Sequence, residues 1–284
     1  MSFDLAGKWH CPHGMCEGSA WVMGPDGKGV IHCACWPDMI KALAVSSEAR
    51  IPPKYQGKRF DNGSVTVRER YPNYQNVVDF AYKYATNWQG APDAGGWTRA
   101  RNGGRCLILL GVDSGAGKTH LACAIMQQLI EDYWTESVCH QDVCCFVQPV
   151  EWFGKISEHY LRYPVLPRGQ AQDEQNTDPG CKASRRSLAD YEKRLETTDL
   201  LVIDDLTRFR GGDDKKLSHI FEVVNNRTNN RKPVIVTDNE PTVERVAKAL
   251  GDNYGHPIMS RLEGNGDIVT IDNPRENRGK RRSQ

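Results

Sequence analysis

The sequence predicts an α/β fold in which helices flank a central parallel sheet of five strands, with a small cysteine-rich module ahead of it. Three observations predict it. From Arg105 onward, short apolar runs alternate with longer stretches of helical period, the pattern of strands joined by crossover helices. A glycine-rich turn, Gly111 to Gly117, joins one of those runs to a stretch that opens on Lys118 and Thr119. Four of the ten cysteines, Cys11, Cys16, Cys33 and Cys35, fall in the first 35 residues.

Taken in order, Cys11-x4-Cys16 and Cys33-x-Cys35 frame a loop-rich unit with Gly24, Gly27 and Gly29 between the pairs. Trp36 to Arg50 places Met39, Ile40, Leu43 and Ala44 at helical spacing, and Pro52 and Pro53 then end any helix. A further helix is expected from about Asn76 to Trp88, with Val77, Phe80, Ala81 and Tyr84 on one face, before the glycine-rich stretch Gly90 to Gly104. Strands are expected near Cys106 to Leu110, Cys144 to Val147, Leu200 to Ile203, Val234 to Val236 and Ile268 to Ile271. Helices are expected over about Lys118 to Tyr133, Glu151 to Arg162, Leu188 to Leu195, Lys215 to Arg227 and Thr242 to Leu250. The polar stretch Leu166 to Ser187 reads as an exposed insertion or loop. The end, Arg275 to Gln284, carries five basic residues against Glu276 and reads as a disordered basic tail. The expected organisation is a module over 1–48, a linker with a helical segment over 49–104, the α/β core over 105–273 and the tail over 274–284.

Composition narrows the class. At 284 residues the chain holds one core of ordinary size and an appendage, since single cores stop growing at roughly 250 to 300 residues. Lys and Arg number 37 against 36 Asp and Glu, so attraction to nucleic acid must come from local patches. No run approaches the roughly 18 apolar residues of a membrane span, and MSFDLAGKWHC at the start has no basic stretch leading into an apolar run. A cytoplasmic protein with no membrane partner is expected, its cysteines reduced or bound to metal.

LILLGVDSGAGKTHLA aims backbone N–H groups and a helix N-terminus at one point, which suits a phosphate chain. Ser114, Gly115, Ala116, Gly117, Lys118, Thr119 and His120 are the candidate phosphate-binding residues, with Lys118 on the β- and γ-phosphates and the Thr119 hydroxyl on Mg²⁺. The strict spacing asks for glycine at 112, where the chain has Val112 with Gly111 one residue early, so a loop one residue longer is expected. Leu200 to Ile203 runs into Asp204 and Asp205, two acids that would be costly after four apolar residues unless they faced a cation or solvent. Asp204 is the candidate Mg²⁺ ligand and Asp205 the candidate base for an attacking water. Asn239, just past Val234-Ile235-Val236, orients that water if its strand lies between those carrying Lys118 and Asp204.

The N-terminal pairs Cys11/Cys16 and Cys33/Cys35 have the spacing of a structural Zn²⁺ site on two glycine-rich knuckles, with His10, His13 and His32 available as substitute ligands. Cys106, Cys123 and either Cys144 or Cys145 are expected in the core. Cys139 and Cys181 have no ligand spacing.

From about Ile51 to Ile271 the chain resembles the DnaC/DnaI/IstB family of AAA+ P-loop ATPases, bacterial and phage helicase loaders and their transposition-helper relatives. The resemblance rests on IPPKYQGKRFDN, GAGKTHLACAI, LLVIDDL, FEVVNNRTNNRKP leading into VIVTDN, and LGDNYGHPIMSRL. It implies ATP hydrolysis with Asn239 as sensor and Arg261 as an arginine finger reaching a neighbouring subunit's ATP. Self-association into a ring or open spiral follows from that role. It implies a replicative DNA helicase and single-stranded DNA as partners, with DNA held by the region carrying Lys155, Arg162, Arg168, Arg185 and Arg186. In some loaders a comparable zinc module contacts the helicase, so protein docking is the first expectation for residues 1–48 and DNA contact the second. The alternatives are a transposition helper on duplex DNA and a nucleotide-dependent binding switch with little hydrolysis. Asp205 stands where many ATPases have Glu, and its shorter reach implies slow, partner-stimulated hydrolysis. Asp238 replaces a small polar residue common in the family.

Overall fold

The computed structural model describes residues 10–17, 19–27, 29–87, 104–132, 143–162, 179–208 and 214–271. The N-terminal module is an antiparallel hairpin, β1 (Trp21–Met23) and β2 (Val30–His32), followed by α1 (Trp36–Leu43). A π-helical turn, Ala44–Glu48, and a 3₁₀ turn, Pro53–Tyr55, lead to α2 (Val65–Arg70) and α3 (Tyr74–Thr86). Then come β3 (Cys106–Leu110), α4 (Lys118–Asp132), β4 (Cys144–Val147), α5 (Pro149–Arg162) and α6 (Pro179–Thr197). The chain continues with β5 (Leu200–Ile203), α7 (Asp214–Asn229), β6 (Val234–Asp238), α8 (Val243–Leu250), α9 (Gly255–Glu263) and β7 (Gly266–Thr270).

The five core strands are all parallel, in the order β4-β5-β6-β3-β7. Helices cover both faces, which is why β3, β4 and β5 read as unbroken apolar runs instead of alternating ones, while the edge strand β7 is only half-buried. In β3, Cys106, Ile108 and Leu110 pack with α5 to α9, whereas Leu107 and Leu109 pack with α3 and α4. The same alternation buries both Cys144 and Cys145, one on each side, where only one of them was expected inside.

Several expected boundaries shift for physical reasons. β6 extends two residues past its apolar run because Thr237 and Asp238 are buried and hydrogen-bonded. α6 begins at Pro179, inside the stretch expected as a loop, growing backward from a face anchored by buried Leu188, Tyr191 and Leu195. The short helices α2 and α9 escape a search for long periodic runs. Residues 166–178, the stretch from 88 to 103, Cys139 and the expected basic tail lie outside the described residues. Among the described residues no helix is long and apolar enough to cross a membrane.

Candidate functional site

Parallel topology sends the C-terminal ends of β3, β4, β5 and β6 to one edge of the sheet, and the expected residues meet there. They wall a cavity of about 720 Å³, closed from the other side by Lys54, Tyr55, Lys58, Val67 and Tyr74 of the preceding segment. Gly115 (φ +88°) and Gly117 (φ +95°) supply the left-handed backbone of the glycine-rich turn. At Gly117 a Cβ would also lie 2.6 Å from the Tyr74 hydroxyl, so glycine is required twice over. Val112 has no positive φ, so the loop takes valine there without strain. Lys118 opens α4 and folds back on the loop, its Nζ donating to the carbonyls of Gly111 (2.7 Å) and Asp113 (3.0 Å). Burial lowers its pKa against the opposing pull of Asp238, Asp205, Asp204 and Asp113.

The buried carboxylate of Asp204 organises the opposite wall. Its Oδ1 accepts from the hydroxyls of Thr119 and Thr237, each at 2.7 Å, and its Oδ2 from Gln148 Nε2 at 3.1 Å. Hydroxyl and carboxylate in contact form a hard-oxygen pair of the kind that holds Mg²⁺ while it keeps waters and phosphate oxygens as its other ligands. Asp205 sits in the left-handed region at φ +61°. Its N–H donates to Thr237 Oγ1 (2.9 Å), and its Oδ1 accepts from Asn239 Nδ2 (2.7 Å). Burial, then the neighbouring Asp204 charge, raises its pKa, while Arg208, Lys118 and Asn239 act in the other direction.

β6 does lie between β3 and β5, which meets the condition placed on Asn239. His120 lines the cavity, but its ring nitrogen bonds to the Arg59 carbonyl at 2.7 Å, and burial lowers its pKa. Arg261 is exposed on α9 and is not part of this chain's own cavity wall. Of the basic residues expected to meet DNA, Lys155 lies 5.0 Å over the Tyr191 ring. The side chains of Arg162, Arg168, Arg185 and Arg186 fall outside those described. Sequence reasoning missed Thr237, Gln148 and Arg208. Gln148 follows a strand directly at the edge where such sheets bind ligands, a signal that could have found it.

In the N-terminal module the thiols of Cys11, Cys16, Cys33 and Cys35 lie within 4.8 Å of one another. Cys11 to Cys33 is 3.7 Å and Cys16 to Cys35 is 3.4 Å. Four sulfurs about 2.3 Å from a tetrahedral Zn²⁺ stand about 3.8 Å apart, so the cluster fits that ion. His32, expected as a possible substitute ligand, packs against both tryptophans, stacked on Trp36 at 4.1 Å and tilted against Trp21 at 4.0 Å between ring centroids.

No protein-family model matches the sequence, and no curated protein matches it significantly. Among solved structures, the DnaC helicase loader superposes with TM-score 0.51 at 17% identity, over 78% of this chain and 100% of that one. DnaI superposes with TM-score 0.50 at 16% identity, over 78% and 92%. A DNA replication initiation factor gives 0.50 at 15%, over 79% and 52%, so this chain spans about half of that protein's length. The chain has the AAA+ P-loop fold, which it shares with DnaC and DnaI.

Proposed function

We propose that this chain is an AAA+ ATPase that loads a replicative helicase onto DNA. It binds ATP with Mg²⁺ at contacts between copies of itself, holds single-stranded DNA, and docks the helicase through a zinc-bound N-terminal module. The observation that carries the ATPase reading is the contact of Asn239 with Asp205 beside the Lys118 and Asp204 walls, because it orients a carboxylate in the cavity where a base for an attacking water has to stand. Lys118 leaves its two carbonyls for the β- and γ-phosphates, and Asp204 with Thr119 holds Mg²⁺, which neutralises phosphate charge when bound. Asp205, oriented by Asn239, takes a proton from water as the water oxygen bonds the γ-phosphorus and the bridging P–O bond breaks, releasing ADP and phosphate. Exposed Arg261 reaches the ATP of a neighbouring copy.

The loader reading is favoured over a transposition helper by the N-terminal module. Met15, Trp21, Met23, Val30 and Ile31 are large apolar side chains exposed there, the kind of patch that meets a protein partner. The test mixes the purified protein with the replicative helicase of its own host. A stable complex and ATP hydrolysis stimulated by single-stranded DNA are expected, both lost in Lys118→Ala, whose nucleotide affinity falls about tenfold to a hundredfold with its charge-assisted bonds. Absence of a complex, together with ATP-dependent filaments on duplex DNA, would overturn the loader reading in favour of the transposition helper.

A further inference from the structure

We propose that Arg208 is a second arginine of the hydrolytic site and acts from within the same chain, paired with Asp205 without nucleotide and moving to the γ-phosphate oxygens when ATP fills the cavity. The proposal rests on the reading of that cavity as an ATP site. It begins from the turn that follows β5. Asp205 takes a left-handed conformation, and its carbonyl accepts from the Arg208 N–H at 3.1 Å, closing a tight turn over residues 205 to 208. The buried side of the turn is fixed to β6. Leu206 N–H donates to the Thr237 carbonyl at 3.1 Å, and Thr207 donates to the Asp238 carboxylate through its N–H (2.7 Å) and its hydroxyl (2.9 Å). Asp238 is fully buried and accepts a further bond from Glu240 N–H at 2.9 Å.

A fully buried carboxylate used to hold one turn is a costly device, and its effect is to aim Arg208 outward beside Asp205. This gives a role to Asp238, the residue that departs from the small polar one common in the resembling family. Arg208 lines the cavity, and its Nε lies 3.9 Å from Asp205 Oδ2. That is far longer than the 2.7–2.9 Å of a charge-assisted bond, and its side chain is 57% exposed, so the guanidinium is held loosely and can change partner. An exposed pair of this kind adds little to stability, which leaves the clamp unexplained by a purely structural role.

The charges around the cavity point the same way. Lys118 approaches from the loop side, where its Nζ rests on the Gly111 carbonyl, and Lys54 and Lys58 belong to the segment on the far wall, Lys54 lying 4.7 Å over the Tyr55 ring. Among the described residues Arg208 is the cation on the carboxylate side, where a γ-phosphate would otherwise face Asp204 and Asp205. The planar guanidinium fork suits two phosphate oxygens at once.

The test uses the full chain. Affinities for ADP and for the slowly hydrolysed analogue ATPγS are measured with single-turnover hydrolysis for wild type, Arg208→Ala and Arg208→Lys. Arg208→Ala is expected to keep ADP affinity within about twofold, to weaken ATPγS about tenfold, and to slow hydrolysis by about 10²- to 10³-fold, with Lys restoring part of it. Mixing variants then separates the two arginines. Arg261→Ala mixed with Lys118→Ala should regain hydrolysis, since Arg261 of the second chain serves the ATP of the first. Arg208→Ala mixed with Lys118→Ala should stay inactive. Recovery in that mixture, or a wild-type ATPγS affinity in Arg208→Ala, would overturn the proposal. Failure of the Arg261 mixture alone would remove the shared-interface reading and leave Arg208 standing, and a wild type that hydrolyses nothing would sink the ATPase reading while the ATPγS comparison still decides Arg208.

Discussion

At the scale of the residue, Asp205 is where charge, strain and chemistry meet. Held at φ +61° and hydrogen-bonded by Asn239, it presents a carboxyl whose pKa is raised first by burial and then by Asp204. A base works only when ionised, so hydrolysis should be flat at neutral pH and fall as acid protonates Asp205, with a midpoint above the roughly 4 of an ordinary carboxylate. Arg208 opposes the rise, so Arg208→Ala should move that midpoint to higher pH. Asp205→Asn should keep nucleotide affinity, lose about 10²- to 10³-fold in turnover, and lose the acid limb from the remaining rate. Turnover measured from pH 4.5 to 8 checks this, and wild-type turnover in Asp205→Asn would remove it from the base role. Asp204 and Asp205 were legible because two acids directly after a buried strand need a reason to be there. Thr237 was not, since a threonine within a strand has an ordinary explanation in β-propensity, and only the register of β6 beside β5 shows it bridging both acids.

At the scale of the element, the opposite edge of the sheet is held by a residue that sequence reasoning passed over. Arg227, on α7, is fully buried and donates to the carbonyls of Leu195, Glu196, Thr198, Asp199 and Pro233. It ties the end of α6 and the starts of β5 and β6 to α7. Burial pulls its pKa down to about 10, so it stays charged at neutral pH. Arg227→Met should cost about 3–5 kcal/mol, because an apolar side chain leaves those carbonyls without a donor. Arg227→Lys should fall between, as one ammonium cannot span the same set. Denaturant midpoints measure both, and a loss below about 1 kcal/mol would mean that water satisfies the carbonyls instead. The sequence motif FEVVNNRTNNRKP contributed to the resemblance, yet nothing in its spacing distinguishes a buried arginine from a surface one. Burial of this kind depends on three chain segments that are distant in sequence. Strands β3, β4 and β5 were legible for the complementary reason: helices on both faces make them apolar throughout, a signal local to four or five residues, whereas the edge strand β7 (Gly266–Thr270) carries Asp267 and begins before its expected apolar run.

At the scale of the whole molecule, two unlike solutions to stability share one chain. The α/β part buries large apolar clusters on both faces of its sheet, whereas the N-terminal cluster consists of Cys16, Ala20, Cys33 and Cys35, with Trp36 and Met39 among the side chains packed around it. A unit whose interior is mostly thiol has too little apolar area to fold by burial alone, so on the proposed reading its stability comes from a metal that the thiols fit. Four sulfur ligands would leave no open position, so an ion held there would be structural, and Trp21, Met23 and Val30 stand exposed on the hairpin beside it. Stripping Zn²⁺ from the full chain with a chelator should therefore release about one ion per chain and alter the near-ultraviolet circular dichroism of the Trp21, His32 and Trp36 stack. ATP affinity should stay within about twofold, because no thiol of that cluster lines the nucleotide cavity, while binding to the helicase should be lost. Re-adding Zn²⁺ should restore docking. If the chelated protein loses ATP and helicase together, the module is part of the ATPase's own stability instead of a separate adaptor. If it still docks the helicase, the apolar hairpin is not the docking surface and the partner must be held by the ATPase fold itself.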